Sequence, residues 1–151
     1  MTPDSDFARL KSAVEARLEA LAPPEHGTPR PLAQAMRAAL LQPGKRSRPI
    51  IALLCAEHFG AQPEGVLDLA CAFEMVHAAS QVLDDLPCMD DAAVRRGRPT
   101  IHRAFGEDAA VLAGVALLNA AYGVIGRAEA LPNSLARRLV VQLSDAVGLE
   151  G

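Results

Sequence analysis

The sequence has no tryptophan, one tyrosine and four phenylalanines, so aromatics make up only 3% of its 151 residues. Runs of β-branched residues are also short. Sheet-rich folds draw on both kinds of residue, and their scarcity here favours helix. Cysteine is sparse as well: Cys55, Cys71 and Cys88 stand far apart, with no Cys-x-x-Cys pair. That excludes a structural zinc site and points to reduced, mostly buried thiols in a cytosolic protein. The charge balance is only −3, which argues against broad nucleic-acid binding. Met1 to Leu10 carries Asp4 and Asp6 and no hydrophobic stretch, so it does not resemble a secretory signal. No membrane-spanning run of about 18 uncharged apolar residues is expected. A cytoplasmic protein is the expectation.

What is abundant is alanine and leucine, within a chain that is 50% hydrophobic. These residues favour helix, and proline and glycine divide the helices. A first helix is expected from about Asp4 or Ser5 to just before Pro23-Pro24. A loop follows through Pro31. A second helix runs from about Leu32 to Leu41. A third starts near Arg48-Pro49 and stops at Gly60. Pro63 opens a long fourth helix to about Asp85, where Pro87 disturbs it. A polar loop through Gly97 and Pro99 comes next. Thr100 is placed to cap a short helix to Phe105. A long apolar helix spans about Asp108 to Ala130, and Asn133 or Ser134 caps a last one to about Val147. Most of these helices are apolar over more than one face, so they need cover on several sides. More chain, or another subunit, is expected to complete the core.

Charge is concentrated in three places. Asp84, Asp85, Asp90 and Asp91 put four carboxylates into eight residues at the end of an apolar helix. Such a cluster repels itself and opposes the helix dipole unless a cation neutralises it. Magnesium suits it, because that ion takes one or two carboxylates and completes its octahedron with water and phosphate oxygens. A solvated helix end is the plainer alternative. Along the same helix, Val66, Ala70, Phe73, His77, Ser80 and Asp84 share one face, apolar at its start and polar at its end. That face suits a greasy pocket with a charged mouth, and equally a core stripe. Pro87 offers a bend that brings Asp90 round to Asp84.

Lys45, Arg46 and Arg48 form a basic group at a loop-to-helix junction, and Arg95, Arg96 and Arg98 form another just after the aspartates. Either alone also suits a solvated surface. Basic, acidic and basic clusters in order suit two diphosphates, held by guanidinium groups and by metal carboxylates.

Read together, these segments resemble the trans-prenyl diphosphate synthases. Gly44-Lys45-Arg46-Ser47-Arg48-Pro49 looks like that family's Gly-Lys-Arg-x-Arg-Pro element. Asp84 to Asp90 looks like its first aspartate-rich motif, and Arg95-Arg96-Gly97-Arg98-Pro99-Thr100 like the element that follows. Glu74-Met75-Val76-His77 is similar to the upstream helix. The match covers roughly residues 40–125. The wording Val76-His77-Ala78-Ala79-Ser80 is most similar to geranylgeranyl diphosphate synthases of carotenoid pathways.

The resemblance implies an all-α, isoprenoid synthase-like helical bundle, left incomplete here, with residues 1–151 as the N-terminal half of one domain. It implies a homodimeric, Mg2+-dependent transferase that joins isopentenyl diphosphate to dimethylallyl, geranyl or farnesyl diphosphate. Asp84 and Asp90 would bind magnesium and Asp85 would support them. Lys45, Arg48, His77 and Arg96 would hold isopentenyl diphosphate, and Arg95 the allylic diphosphate. The small Ala79, five positions before Asp84, would leave a pocket deep enough for a twenty-carbon product. A farnesyl diphosphate synthase and a non-catalytic helical subunit are the alternatives. A terpene cyclase fits less well, because it needs no second diphosphate site. Nothing after Asp91 resembles the family's second aspartate-rich motif, so a fragment or truncated frame is expected.

Overall fold

The computed structural model describes residues 3–24 and 29–149. Part of the proline-rich loop and the two residues at each end lie outside that range. Seven helices account for most of it: α1 (Pro3–Leu21), α2 (Arg30–Leu40), α3 (Ser47–His58), α4 (Pro63–Asp84), α5 (Ile101–Phe105), α6 (Glu107–Gly126) and α7 (Asn133–Val147). A two-stranded hairpin, β1 (Val94–Arg95) and β2 (Arg98–Pro99), joins α4 to α5. The all-α class expected from the sequence holds.

Pro63 opens α4 as expected, in the first turn, where the missing N–H costs nothing. Pro31, read as the end of a loop, instead lies inside the first turn of α2, which starts at Arg30 rather than near Leu32. Gly60, at φ +81°, follows the end of α3. Three further details differ from the sequence reading. Thr100 precedes α5, but its hydroxyl does not cap the helix. It donates to the Ala92 carbonyl at 2.7 Å and meets His102 Nδ1 at 3.2 Å. At α7, Pro132 takes the cap position ahead of Asn133, and no side chain caps that helix either. α6 ends at Gly126 rather than near Ala130, and the chain then turns through Ala128 and Leu131. Glycine at 123 and 126 weakens the helix there.

α4 is the central element, packed on α6, α3, α1 and α2. Its Ala70, Cys71, Ala72, Met75, Ala78, Ala79 and Val82 are buried in a single core. From α6 that core takes Ala110, Ala113, Leu117, Ala121 and Ile125. Residues 109–126 carry no charge after all, and α4 and α6 are each long and apolar enough to cross a membrane by length and composition. A core helix covered on several sides has that same composition. Arg17 on α1 clamps Asp68 on α4 through two hydrogen bonds of 2.6 and 3.0 Å, which raises the guanidinium pKa further. Several large apolar side chains remain exposed, among them Ile51 and Leu54 on α3 and Leu112 and Val115 on α6.

The thiols correct the expectation of mostly buried cysteines. Cys55 and Cys88 are exposed and only Cys71 is buried. Burial, reinforced by the nearby Asp68 carboxylate, pushes the Cys71 thiol up to about 12. Its thiolate is therefore scarce at neutral and mildly alkaline pH. Brief alkylation with iodoacetamide in mildly alkaline buffer, read by mass spectrometry, is expected to modify Cys55 and Cys88 and spare Cys71 until the protein unfolds. Modification of Cys71 at a comparable rate in the folded protein would contradict the core packing.

Candidate diphosphate and metal site

The first basic group does not act as three equivalent cations. Arg46 adopts a left-handed backbone, φ 53° and ψ 32°, at the start of α3. That turn sends its side chain inward, where it is buried. Nη1 donates to Glu74 Oε1 at 2.8 Å, and Nη2 to the Gln42 carbonyl at 2.7 Å. Lys45 and Arg48, on either side, stay exposed. Both line a cavity of about 510 Å³, together with Gly44, Glu74, His77 and Arg96.

Arg96 reaches this cavity from a distant segment because of the hairpin. Arg96 and Gly97 both have positive φ, 51° and 76°, which is the pattern of a tight type I′ connection. Sequence reading implies only a polar loop there. The turn carries the Arg96 side chain back across the chain, where Nη1 donates to the Pro43 carbonyl at 3.1 Å. Gly44 makes room for it, since a Cβ at that position would sit 2.8 Å from Arg96 Nη1. His77 enters from α4. Burial and the Arg48 guanidinium lower its pKa, only partly opposed by Glu74, which favours the uncharged ring. Lys45, Arg48, His77 and Arg96 therefore meet in one place. The arrangement offers flexible and planar cationic donors plus an imidazole, a set that suits a phosphate ester.

The aspartates lie at the end of α4, about two helical turns, or roughly 10 Å, beyond His77. The helix does not bend at Pro87. It stops at Asp84, and a series of turns follows. In these, the Asp90 N–H donates to the Asp84 carbonyl at 2.9 Å, and the Asp91 N–H to that of Leu86 at 3.0 Å. Asp90 is thus folded back beside Asp84, and both residues are exposed. The four carboxylates divide by environment. Asp85 is buried and takes Arg95 in a forked ion pair, with Arg95 Nη2 2.7 Å from Oδ1 and Nε 2.9 Å from Oδ2. Asp91 pairs with Arg103 at 2.9 Å. Asp84 and Asp90 make no ion pair among the described residues.

No cluster of three metal-ligating side chains occurs among the described residues. A closed protein cage of the zinc type is therefore not formed there. Two neighbouring carboxylates with open sides fit magnesium, which keeps several positions for water and phosphate. Arg95 lies close enough to feel Asp84 and Asp90 after its partner Asp85, and these carboxylates raise its pKa. The forked pair engages its Nε and Nη2, so Arg95 is anchored beside the two acids rather than freely extended.

A second cavity, of about 630 Å³, adjoins the first and shares Arg48 and His77 with it. Phe73, Val76 and Ser80 of α4, Ile51 and Ala52 of α3, and Leu143 and Val147 of α7 line it. Phe73, His77 and Ser80 of the expected α4 stripe thus do face a largely apolar space. Ala79 does not. It is 2% exposed, belongs to the core, and lines neither cavity. One residue is about a 100° rotation on a helix, which brings Ser80 to the cavity and turns Ala79 away. Sequence reading also missed Glu74 as the partner of Arg46. Its signal was a lone acid in the apolar stretch one turn before His77.

The polyprenyl synthetase family matches residues 29–147. A geranylgeranyl diphosphate synthase of Pantoea ananas is 51% identical over 145 residues, 95% of this chain and 48% of that protein. A geranylgeranyl diphosphate synthase of Pseudescherichia vulneris is 42% identical over 154 aligned positions, all of this chain and 50% of its own length. The crystal structure of an FPP/GFPP synthase from Zymomonas mobilis superposes with a TM-score of 0.92 at 30% identity, covering 98% of this chain and 54% of that one. The chain spans about half the length of the curated relatives it matches. The helical architecture and the ordered basic, acidic and basic segments agree with that match, and the chain belongs to the polyprenyl synthetase family.

Proposed function

We propose that this chain carries the isopentenyl diphosphate site, the first metal site and part of the prenyl pocket of a magnesium-dependent prenyltransferase. The reading rests on one observation above all. Lys45, Arg48, His77 and Arg96 come from three separate segments and line a single cavity. Two cations at a loop are a common accident, but three cations and an imidazole converging from three segments, two helical turns from two open carboxylates, suit diphosphate chemistry.

In this reading the four cavity residues hold isopentenyl diphosphate. Asp84 and Asp90 hold Mg2+, which on binding neutralises the diphosphate of the allylic substrate as it leaves. Arg95, anchored by Asp85, adds a fixed positive charge beside that group. The allylic carbon–oxygen bond breaks, and the diphosphate departs with the electron pair. The double bond of isopentenyl diphosphate attacks the resulting cation, and loss of a proton restores an alkene. The cavity between α3, α4 and α7 shelters the hydrocarbon from water. Geranylgeranyl diphosphate is the proposed product, on the strength of the 51% and 42% identical relatives. Residues 1–151 form the N-terminal half of one domain in this reading. The exposed apolar side chains of α3 and α6 are then covered by the rest of the domain and by a second subunit.

The test supplies the complete protein with isopentenyl diphosphate, Mg2+ and dimethylallyl, geranyl or farnesyl diphosphate in turn. Twenty-carbon diphosphate is expected to accumulate from each. Failure to extend any of the three, or release of a cyclic hydrocarbon instead, would sink the proposal. A fifteen-carbon end product would move the assignment to farnesyl diphosphate synthesis.

A further inference from the structure

We infer that Arg46 is a positioning residue, which ties the Lys45–Arg48 loop to α4 through Glu74 and so sets the geometry of the cationic cavity. The inference rests on reading that cavity as a diphosphate site. Arg46 borders the cavity between Lys45 and Arg48, yet its own side chain is only 6% exposed. Its backbone is left-handed, a conformation that a non-glycine residue adopts only when something holds it. Two groups hold it here. Glu74, itself buried, takes one guanidinium nitrogen at 2.8 Å, and the Gln42 carbonyl takes another at 2.7 Å. The Arg46 carbonyl accepts the Ile50 N–H at 3.1 Å and so starts α3. One residue therefore fastens the end of the preceding loop, the first turn of α3 and the middle of α4.

Glu74 lies three positions before His77 on α4, one turn away on the same side. The tie thus relates Lys45 and Arg48 on the loop to His77 on the helix. Electrically the pair is neutral, so it contributes little net charge to a ligand. Its effect is on where the ligand-facing cations stand. Lysine at position 46 keeps the charge but cannot reach both acceptors with a rigid planar fork. Arg46 Nε makes no hydrogen bond, and the nearest Glu15 oxygen is 3.9 Å away. With Glu74 neutralised, only the Gln42 carbonyl, on the loop side, would hold the guanidinium at hydrogen-bond distance, and the tie to α4 would weaken.

The experiment measures binding of inorganic pyrophosphate to the complete protein, and steady-state kinetics with isopentenyl diphosphate. Arg46→Lys is expected to raise the pyrophosphate Kd and the KM for isopentenyl diphosphate about tenfold, with kcat within about twofold. The KM of the allylic substrate should stay put. Glu74→Gln, which preserves shape, should give the same split and covers the case of a poorly folding Arg46→Lys. Arg17→Lys, at the other α4 ion pair, is the control for plain structural damage and should leave all these constants alone. If Arg46→Lys and Glu74→Gln lower Tm but leave Kd and KM unchanged, the pair is merely structural and the inference falls. Arg48→Gln separates the positioning role from the diphosphate site it serves. If it also leaves pyrophosphate binding unchanged, the diphosphate reading of the cavity fails, and the positioning role with it.

Discussion

Asparagine in place of Asp84 or Asp90 is expected to lower kcat of the complete protein by about 10²- to 10³-fold, the scale for losing one electrostatic element aimed at a departing charge. The substitution keeps the shape of the side chain and one neutral oxygen. What it removes is the negative charge that a hard divalent ion prefers. Part of the lost rate should return at raised Mg2+, because weaker affinity is offset by mass action. The two neighbouring acids are expected to behave differently. Asp91 already pairs with Arg103, so Asp91→Asn should leave the rate within about fivefold, the range of a surface ion pair of at most about 1 kcal/mol. If both acids serve one ion, as proposed, the double variant Asp84→Asn/Asp90→Asn should be less than multiplicatively worse. Initial rates across a magnesium titration read all four cases. Undiminished rates for Asp84→Asn and Asp90→Asn at ordinary magnesium would remove the metal from the mechanism.

The pattern of residues alone did not divide these four adjacent acids, because a string of letters gives no burial; only the family resemblance singled out Asp84 and Asp90 for the metal and Asp85 as their support. The fold separates them: α4 ends at Asp84, Asp85 turns inward to Arg95, and only Asp84 and Asp90 remain open. The same limit applied to the basic run. Lys45, Arg46 and Arg48 look alike in order, yet a single left-handed residue sends Arg46 into the core. Such a backbone is expected at glycine, so an arginine there leaves no local signal. The helices were legible, because Pro63 and Gly60 mark a start and a stop by backbone geometry alone, although Pro31 read as loop and proved helical. Caps were less so. Thr100 spends its hydroxyl on Ala92 and His102, partners that only the hairpin brings near. Ala79 and Ser80 show the finest grain of the problem. They are neighbours of similar size, and only the rotation of α4 against its packing partners decides which one meets the apolar cavity.

The forked pair between Arg95 and Asp85 should carry the largest effect on stability. Asp85 is only 4% exposed at its side chain and Arg95 30%. Arg95→Leu strands the carboxylate, and breaking a buried pair on one side costs about 3–5 kcal/mol, or roughly 10 °C in Tm for a chain of this size. Thermal melts of Arg95→Leu should show that deficit directly. The second substitution, Asp85→Leu, should then recover most of the loss, because two apolar side chains in a buried site need no compensation. On the proposed role of Arg95, activity should not follow stability back, since the double variant still lacks the fixed charge assigned to the departing diphosphate. Recovery of both together would mean that Arg95 serves the fold alone, and an unchanged Tm for Arg95→Leu would mean that Asp85 finds another partner.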